Sequence, residues 1–231
     1  MRIAKYISNS GYCSRRDAEK LILKKQVKIN KKLCETFHTL VLKSDIVEIK
    51  NKLINIEEKI KLWKLYKPIK VICTNKDPQK RKTIFEILPK NMPRTILIGR
   101  LDFMSEGLIL LTNNGDFARK LELPSSNFIR VYRVLINSNI SQKDIDRIEL
   151  GIKINGIYYK NVKIKIEKKI ENKYWVVFKL REGKNREIRN ICNYFKWSIQ
   201  KLIRIQYGPI KISKEKPGQI TEIKDISHKF L

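Results

Sequence analysis

The chain has 231 residues, with 51 Lys and Arg against 23 Asp and Glu, a formal charge of +28, and 42% hydrophobic residues, enough for one large or two modest packed domains. Such an excess repels itself in the folded state and points to a polyanionic partner. The two histidines, His38 and His228, stand in no zinc-binding spacing and beside no nucleophile, which sets aside metal hydrolases and Ser-His-Asp or Cys-His enzymes.

Cys13, Cys34, Cys73 and Cys192 form no C-x-x-C pair and no disulfide framework, so a reducing compartment is expected. No apolar run reaches the length of a membrane span, and the first residues lack the apolar core of a secretory signal. A cytoplasmic protein without a membrane partner is the expectation.

In chain order, a first helix is expected over residues 2–10, closed by Gly11, a common residue just past a helix end. Ser14 with Asp17 reads as a capping box opening a second helix, whose apolar stripe is Ala18, Leu21 and Ile22. Residues 27–29 and 46–49 read as short strands, and the polar stretch 51–61 as a linker. An apolar strand follows over 63–74, interrupted by Pro68. Residues 95–98 and 108–112 are strands bracketing Gly99-Arg100-Leu101-Asp102. Residues 131–136 and 162–166 alternate, the latter with Val162, Ile164 and Ile166 on one face. Residues 174–180 lead through Gly183 into a helix striped by Ile188, Ile191, Cys192 and Phe195, and 202–207 close as a strand. The fold class is α+β: a small helix-helix-strand module over 1–50, the linker over 51–61, and a strand-rich domain over 62–231.

Arg15 and Arg16 fall in the first turn of the second helix, with Lys20 and Lys24 one and two turns on and Lys5 on the preceding helix. This stripe suits the phosphates of structured RNA, where shape and backbone contacts dominate. A merely solvated helix face carries the same charges.

In the larger domain, Asp102 is a carboxylate between two apolar strands. A neighbouring guanidinium favours the ionised form of a carboxyl group, so with Arg100 adjacent Asp102 reads as a nucleophile or base, or else as a turn cap paired with Arg100. Tyr132, in Arg130-Val131-Tyr132-Arg133, offers a ring among cations, fit for stacking on an extruded base or for a strand core. Glu182-Gly183-Lys184-Asn185-Arg186-Glu187-Ile188-Arg189 runs from a loop into a helix N-terminus, a place for a phosphate. Arg186 and Arg189 share a face there at i, i+3.

Together these segments carry two resemblances. Arg2-Ile3-Ala4-Lys5-Tyr6-Ile7, Gly11, Ser14 to Ile22 and Val27-Lys28-Ile29-Asn30 resemble the S4 RNA-binding domain. Its usual glycines near 25 and 31 are lysines here, which is expected to reshape those turns. Residues 62–212 resemble bacterial ribosomal pseudouridine synthases of the RsuA/RluB type. The likeness lies in Lys67-Pro68 with Thr74, in Gly99-Arg100-Leu101-Asp102 continued by Ser105-Glu106-Gly107-Leu108 and Leu110-Leu111-Thr112-Asn113, in Arg130-Val131-Tyr132, in the 182–189 segment and in Leu202-Ile203-Arg204. Asn185-Arg186-Glu187 and Leu121-Glu122-Leu123-Pro124-Ser125 are similar to the large-subunit branch. Lys70, where a glycine is usual, and Asn190-Ile191, where Arg-Met is usual, depart from the pattern.

The resemblance implies isomerisation of one uridine to pseudouridine in ribosomal RNA, of the 23S large-subunit kind, by a cytoplasmic monomer acting on that RNA or a pre-ribosomal particle. It implies no metal, nucleotide or redox cofactor, and a mostly antiparallel mixed sheet flanked by helices. Asp102 would start the reaction, by attack or by removing a ribose proton. Arg189 would pair with it, Tyr132 would stack on the flipped uracil and help remove the C5 proton, and Leu202 would pack against the base. Arg100, Lys184 and Arg186 would hold nearby phosphates, with Arg204 also on the substrate side. Two rivals from other classes are a non-catalytic S4-domain ribosome-assembly factor and a hydrolytic N-glycosidase using Asp102 and Glu106.

Overall fold

The computed structural model describes residues 1–57, 59–160, 162–226 and 230, which leaves His228 outside the described residues. The N-terminal unit opens with helices α1 (Ile3–Asn9) and α2 (Arg15–Leu23). α1 buries Ile3, Ala4 and Ile7 and stops at Ser10, with Gly11 at φ +81°. Ser14 caps α2 by accepting the Asp17 N–H at 3.1 Å and donating to Asp17 Oδ2 at 2.6 Å, an arrangement worth about 1 kcal/mol. Four short strands follow, β1 (Val27–Ile29), β2 (Lys32–Leu33), β3 (Val47–Ile49) and β4 (Lys52–Ile54), in the order β2-β1-β3-β4. They close on Ile3, Ile7, Ala18 and Ile22 to form a separate small core.

Two sequence expectations change here. β4 lies inside the stretch read as a linker, because Ile54 is buried in the N-terminal core, so only residues 55–61 connect the two units. The lysines in place of glycine do not reshape their turns; they adopt the glycine conformation themselves. Lys25 sits at φ +55°, and Asn30 and Lys31 at +50° and +65° form the two-residue β1–β2 turn. That is the type I′ geometry whose best sequence is Asn-Gly, held here at a cost of about 1 kcal/mol for the non-glycine residue.

The second unit contains β5 (Leu62–Lys67), β6 (Ile96–Ile98), β7 (Glu106–Thr112), α3 (Gly115–Glu122), β8 (Arg130–Ile136), α4 (Gln142–Leu150), β9 (Ile152–Ile154), β10 (Ile157–Tyr159), β11 (Lys163–Ile170), β12 (Lys173–Leu180), α5 (Glu187–Tyr194), β13 (Ile199–Tyr207), β14 (Ile210–Lys211) and β15 (Ile220–Glu222). The large sheet runs β11-β12-β8-β13-β7-β5-β15, with β6 on β7 and β14 on β13. Every pair is antiparallel except β13–β7. The α+β class and the mostly antiparallel mixed sheet are as the sequence indicates.

The strand expected over 63–74 ends at Lys67, because Pro68 has no N–H to donate and Lys70 turns the chain at φ +59°. The alternation read over 162–166 holds, with Ile164 and Ile166 paired to buried Phe178 and Val176, although Ile166 is 36% exposed on the edge strand; a bulge after it shifts the register beyond. α3 and α4 were not anticipated, although Asn114 and Ser141 cap them.

Two cores place the site. One joins Val134, Ile136, Val176, Phe178 and Leu202 to Ile188 and Ile191 of α5; the other joins Leu65, Ile109 and Leu111 to Ile84 and Leu101. Tyr132 packs against both. The seam between them is where the loop from β6 to β7, carrying Asp102, reaches the sheet.

Candidate active site

The Asp102 loop is held at nearly every position. Gly99 turns it at φ +70° and donates its N–H to Glu122 at 2.5 Å. Leu101 N–H reaches Cys73 Sγ at 3.5 Å, Lys70 N–H reaches Phe103 O at 2.8 Å, and Ser105 N–H returns to Asp102 O at 3.0 Å. Lys67 is fully buried beneath it and donates to Ser105 O at 2.7 Å and Pro68 O at 2.9 Å; burial lowers its pKa to about 8. Such a loop fixes the direction of the Asp102 side chain, which is 34% exposed.

The cations that reach Asp102 come from α5 and its approach, not from the adjacent residue. Arg189 Nε lies 3.4 Å and Arg186 Nη1 3.7 Å from Asp102 Oδ2. The pairing with Arg100 is therefore not the one observed. Arg189 Nη2 also donates to Met104 O at 2.9 Å and Ser105 Oγ at 3.1 Å, so one guanidinium fixes both carboxylate and loop. Arg186 stands just before α5 at φ +51°, which turns its side chain back across the loop.

These groups line a pocket of about 240 Å³ that holds all eight sequence-predicted residues of this domain: Arg100, Asp102, Tyr132, Lys184, Arg186, Arg189, Leu202 and Arg204. Its floor is apolar, from Leu180, Ile188 and Leu202, and its rim is cationic. Below the roughly 300–1,000 Å³ of a drug-sized ligand site, it suits one planar base. A larger groove of about 840 Å³ adjoins it at Arg100 and Asp102 and runs to Arg94. Arg94 in turn donates to Ser8 O of the N-terminal unit at 3.3 Å.

Not every expected contact group is free. Arg204 is only 2% exposed; its Nε donates to Leu108 O at 2.6 Å and its guanidinium lies 5.3 Å from the Tyr207 ring centroid. It braces the β7–β13 seam while lining the pocket, with its Nη2 left without a hydrogen-bond partner. Lys184 gives its ammonium to Glu182 and to Tyr158 O at 2.7 Å. At the helix N-terminus read as a phosphate site, Glu187, the first residue of α5, accepts the N–H of Lys184 in the preceding loop with its Oε2 at 3.0 Å. Burial holds the Glu187 carboxyl above its ordinary pKa. In the N-terminal unit Arg15, Arg16, Lys20 and Lys24 are exposed, Lys20 beside Asp17 at 3.8 Å. Lys5 instead pairs with Asp116 of α3 at 2.7 Å, where it joins the two units.

Arg130, Lys67, Glu187 and Ser105 lie in motifs quoted from the sequence but carry no assigned role there. Arg130 lines the pocket and donates to Tyr207 Oη at 3.0 Å. The readable signal was a charged residue inside an apolar run, as at Lys67 in Leu62–Lys67. Glu106 accepts the Tyr66 O–H at 3.2 Å and does not line the Asp102 pocket, so that pocket does not hold the Asp102–Glu106 pair a glycosidase would need. Among the described residues no group of three or more His, Cys, Asp and Glu side chains is placed to hold a metal ion.

Comparison with known proteins agrees with this geometry. Residues 61–194 match the RNA pseudouridylate synthase family and residues 1–47 match the S4 domain. An uncharacterized RNA pseudouridine synthase of Rickettsia typhi is 48% identical over all of this chain and 93% of its own length. The ribosomal large subunit pseudouridine synthase B of Buchnera aphidicola subsp. Schizaphis graminum is 36% identical over 94% of this chain and 88% of its own. A crystal structure of a pseudouridylate synthase superposes with a TM-score of 0.69 at 21% identity, covering 97% of this chain and 96% of that one, and so shares its fold. The chain belongs to the RNA pseudouridylate synthase family, enzymes that isomerise uridine to pseudouridine in RNA.

Proposed function

We propose that the substrate uridine lies in large-subunit ribosomal RNA, free or within an assembling particle, and that the enzyme works as a cytoplasmic monomer. The likeness to two Buchnera proteins named ribosomal large subunit pseudouridine synthase B, at 34% and 36% identity, supports the choice of RNA. The observation that carries the mechanism is the meeting of Asp102, Arg189, Tyr132 and Leu202 in one base-sized pocket.

In this reading the target base leaves its stack and enters the pocket. Tyr132 stacks on the uracil, and Leu202 with Leu180 and Ile188 forms the dry wall against it. Asp102, aimed by Arg189 and Arg186, starts the reaction by attack at C1′ or by taking a ribose proton. The N1–C1′ bond breaks, the uracil turns, C5 bonds to C1′, and the C5 proton leaves with Tyr132 assisting while N1 takes one up. Atoms balance without a co-reactant. Exclusion of water protects the freed uracil from hydrolytic loss. Arg100 and Arg186 on the rim hold flanking phosphates, and the groove toward Arg94 leads the strand toward the N-terminal unit, where Arg15 and Arg16 are exposed.

The test is incubation of purified protein with unmodified ribosomal RNA and mapping of pseudouridine by carbodiimide-dependent primer-extension stops. Wild type adds one stop in large-subunit RNA and Asp102→Asn adds none. Wild type without a new stop overturns the assignment of substrate, and an active Asp102→Asn overturns the assignment of Asp102.

A further inference from the structure

The pocket uses only one face of the sheet. Directly paired residues on neighbouring strands share a face, and alternate residues point the other way. Across β11, β12, β8 and β13 the register aligns Lys165, Val177, Arg133 and Ile203 in one row, and Lys168, Trp175, Leu135 and Lys201 in the next. Both rows alternate with Val134, Val176, Phe178 and Leu202, which are buried on the pocket side. They therefore form the opposite face, and among the described residues no helix covers it: Lys165, Lys168, Lys179 and Lys201 are exposed, and Trp175, Val177, Leu135 and Ile203 are half-buried.

We propose that this open face is a second RNA-binding surface, separate from the catalytic pocket. Its centre is a stacked pair, with the Arg133 guanidinium 4.5 Å from the Trp175 ring centroid. Two carboxylates lie on it and each has a partner: Glu167 is held by Arg133 at 2.5 Å, and Glu106, paired with Ile203 at the end of the first row, accepts from Tyr66 Oη at 3.2 Å. Lys165, Lys168, Lys179 and Lys201 have no ion-pair partner among the described residues, whereas Lys163 at the margin pairs with Glu149. Lysines around an aromatic–guanidinium platform are the pattern of sequence-tolerant single-stranded RNA binding, with phosphates on the cations and a base on the planar groups.

Charge decides among occupants. A second copy of this chain would bring another +28 against the face, and a neutral protein would leave four ammonium groups uncompensated. The substrate already supplies a long polyanion, of which the 240 Å³ pocket takes a single base. RNA flanking the target covers this face. The inference rests on RNA being the substrate and not on the roles given to the pocket residues.

Trp175 makes the surface observable, because Trp63 and Trp197 are buried at 6% and 4% exposure. A 20-nucleotide unstructured RNA is titrated into the full chain and tryptophan emission is followed. Wild type and Asp102→Asn are quenched alike, and Trp175→Phe is not. The quadruple variant Lys165→Gln, Lys168→Gln, Lys179→Gln, Lys201→Gln lowers the salt slope of the quench by about three units, at roughly 0.7 per phosphate lost. Its turnover on a minimal target stem-loop stays within about twofold of wild type. Emission unchanged at saturating RNA, an equal quench in Trp175→Phe, or turnover that falls in step with the quench overturns the proposal. Dimerisation in light scattering, abolished by the quadruple variant, overturns it in favour of a second copy.

Discussion

Arg189 reaches Asp102 across the pocket, Nε to Oδ2 at 3.4 Å, while its Nη2 holds Met104 O and Ser105 Oγ in the same loop. The guanidinium thus sets both the charge environment and the aim of the carboxylate. A point charge on a flexible stem can supply the first and not the second.

Arg189→Lys should therefore lower kcat by about 10²-fold or more, with a smaller change in KM, because the interaction lost is one that aligns the reacting group. Single-turnover rates on a target stem-loop measure the split. A change confined to KM would place Arg189 among the binding groups only.

Gly107 permits the one parallel pairing in the sheet. A Cβ there would stand 2.3 Å from Arg204 O, on backbone at φ +102°. Gly107→Ala should destabilise the fold by about 2 kcal/mol or more, read as a lower midpoint in urea unfolding. An unchanged midpoint would mean that β7 and β13 shift apart without cost.

Glu187 predicts a pH dependence. Burial raises its folded pKa above the unfolded value, so the native state binds more protons through that window and stability falls as pH rises. The loss begins at the ordinary carboxyl range near 4.3 and is complete above the raised folded value. Glu187→Gln should remove this decline, making the variant relatively more stable at neutral pH than at pH 4. Parallel Tm-against-pH curves for the two proteins would refute it.

Lys31→Gly converts the β1–β2 turn to Asn-Gly at its observed positive φ angles. Stabilisation of the N-terminal unit by about 1 kcal/mol is expected, measured as increased hydrogen-exchange protection across β1 and β2. Reduced protection would show that the entropy lost by glycine outweighs the relief of strain.

Local chemistry in the sequence was enough for the Ser14 cap, the Gly11 stop and most of the strand alternation, because caps and side-chain periods act over a few residues. The motif residues were also legible: Asp102, Tyr132, Arg189 and Leu202 do converge. Identity of partners was not. Arg186 and Arg189, not Arg100, face Asp102; Arg204 is buried against Leu108; Lys184 is consumed by Glu182; Lys5 joins the two units through Asp116. Each of those outcomes depends on which distant elements become neighbours, above all on β13 lying parallel to β7 through Gly107.

The sequence by itself determined the residue types, the local elements and the charge that demands a polyanion. Only the tertiary structure decided which of the 51 cations are spent on internal carboxylates and carbonyls and which remain to meet RNA, because an ion pair forms between groups that packing brings within a few ångströms, whatever their separation along the chain.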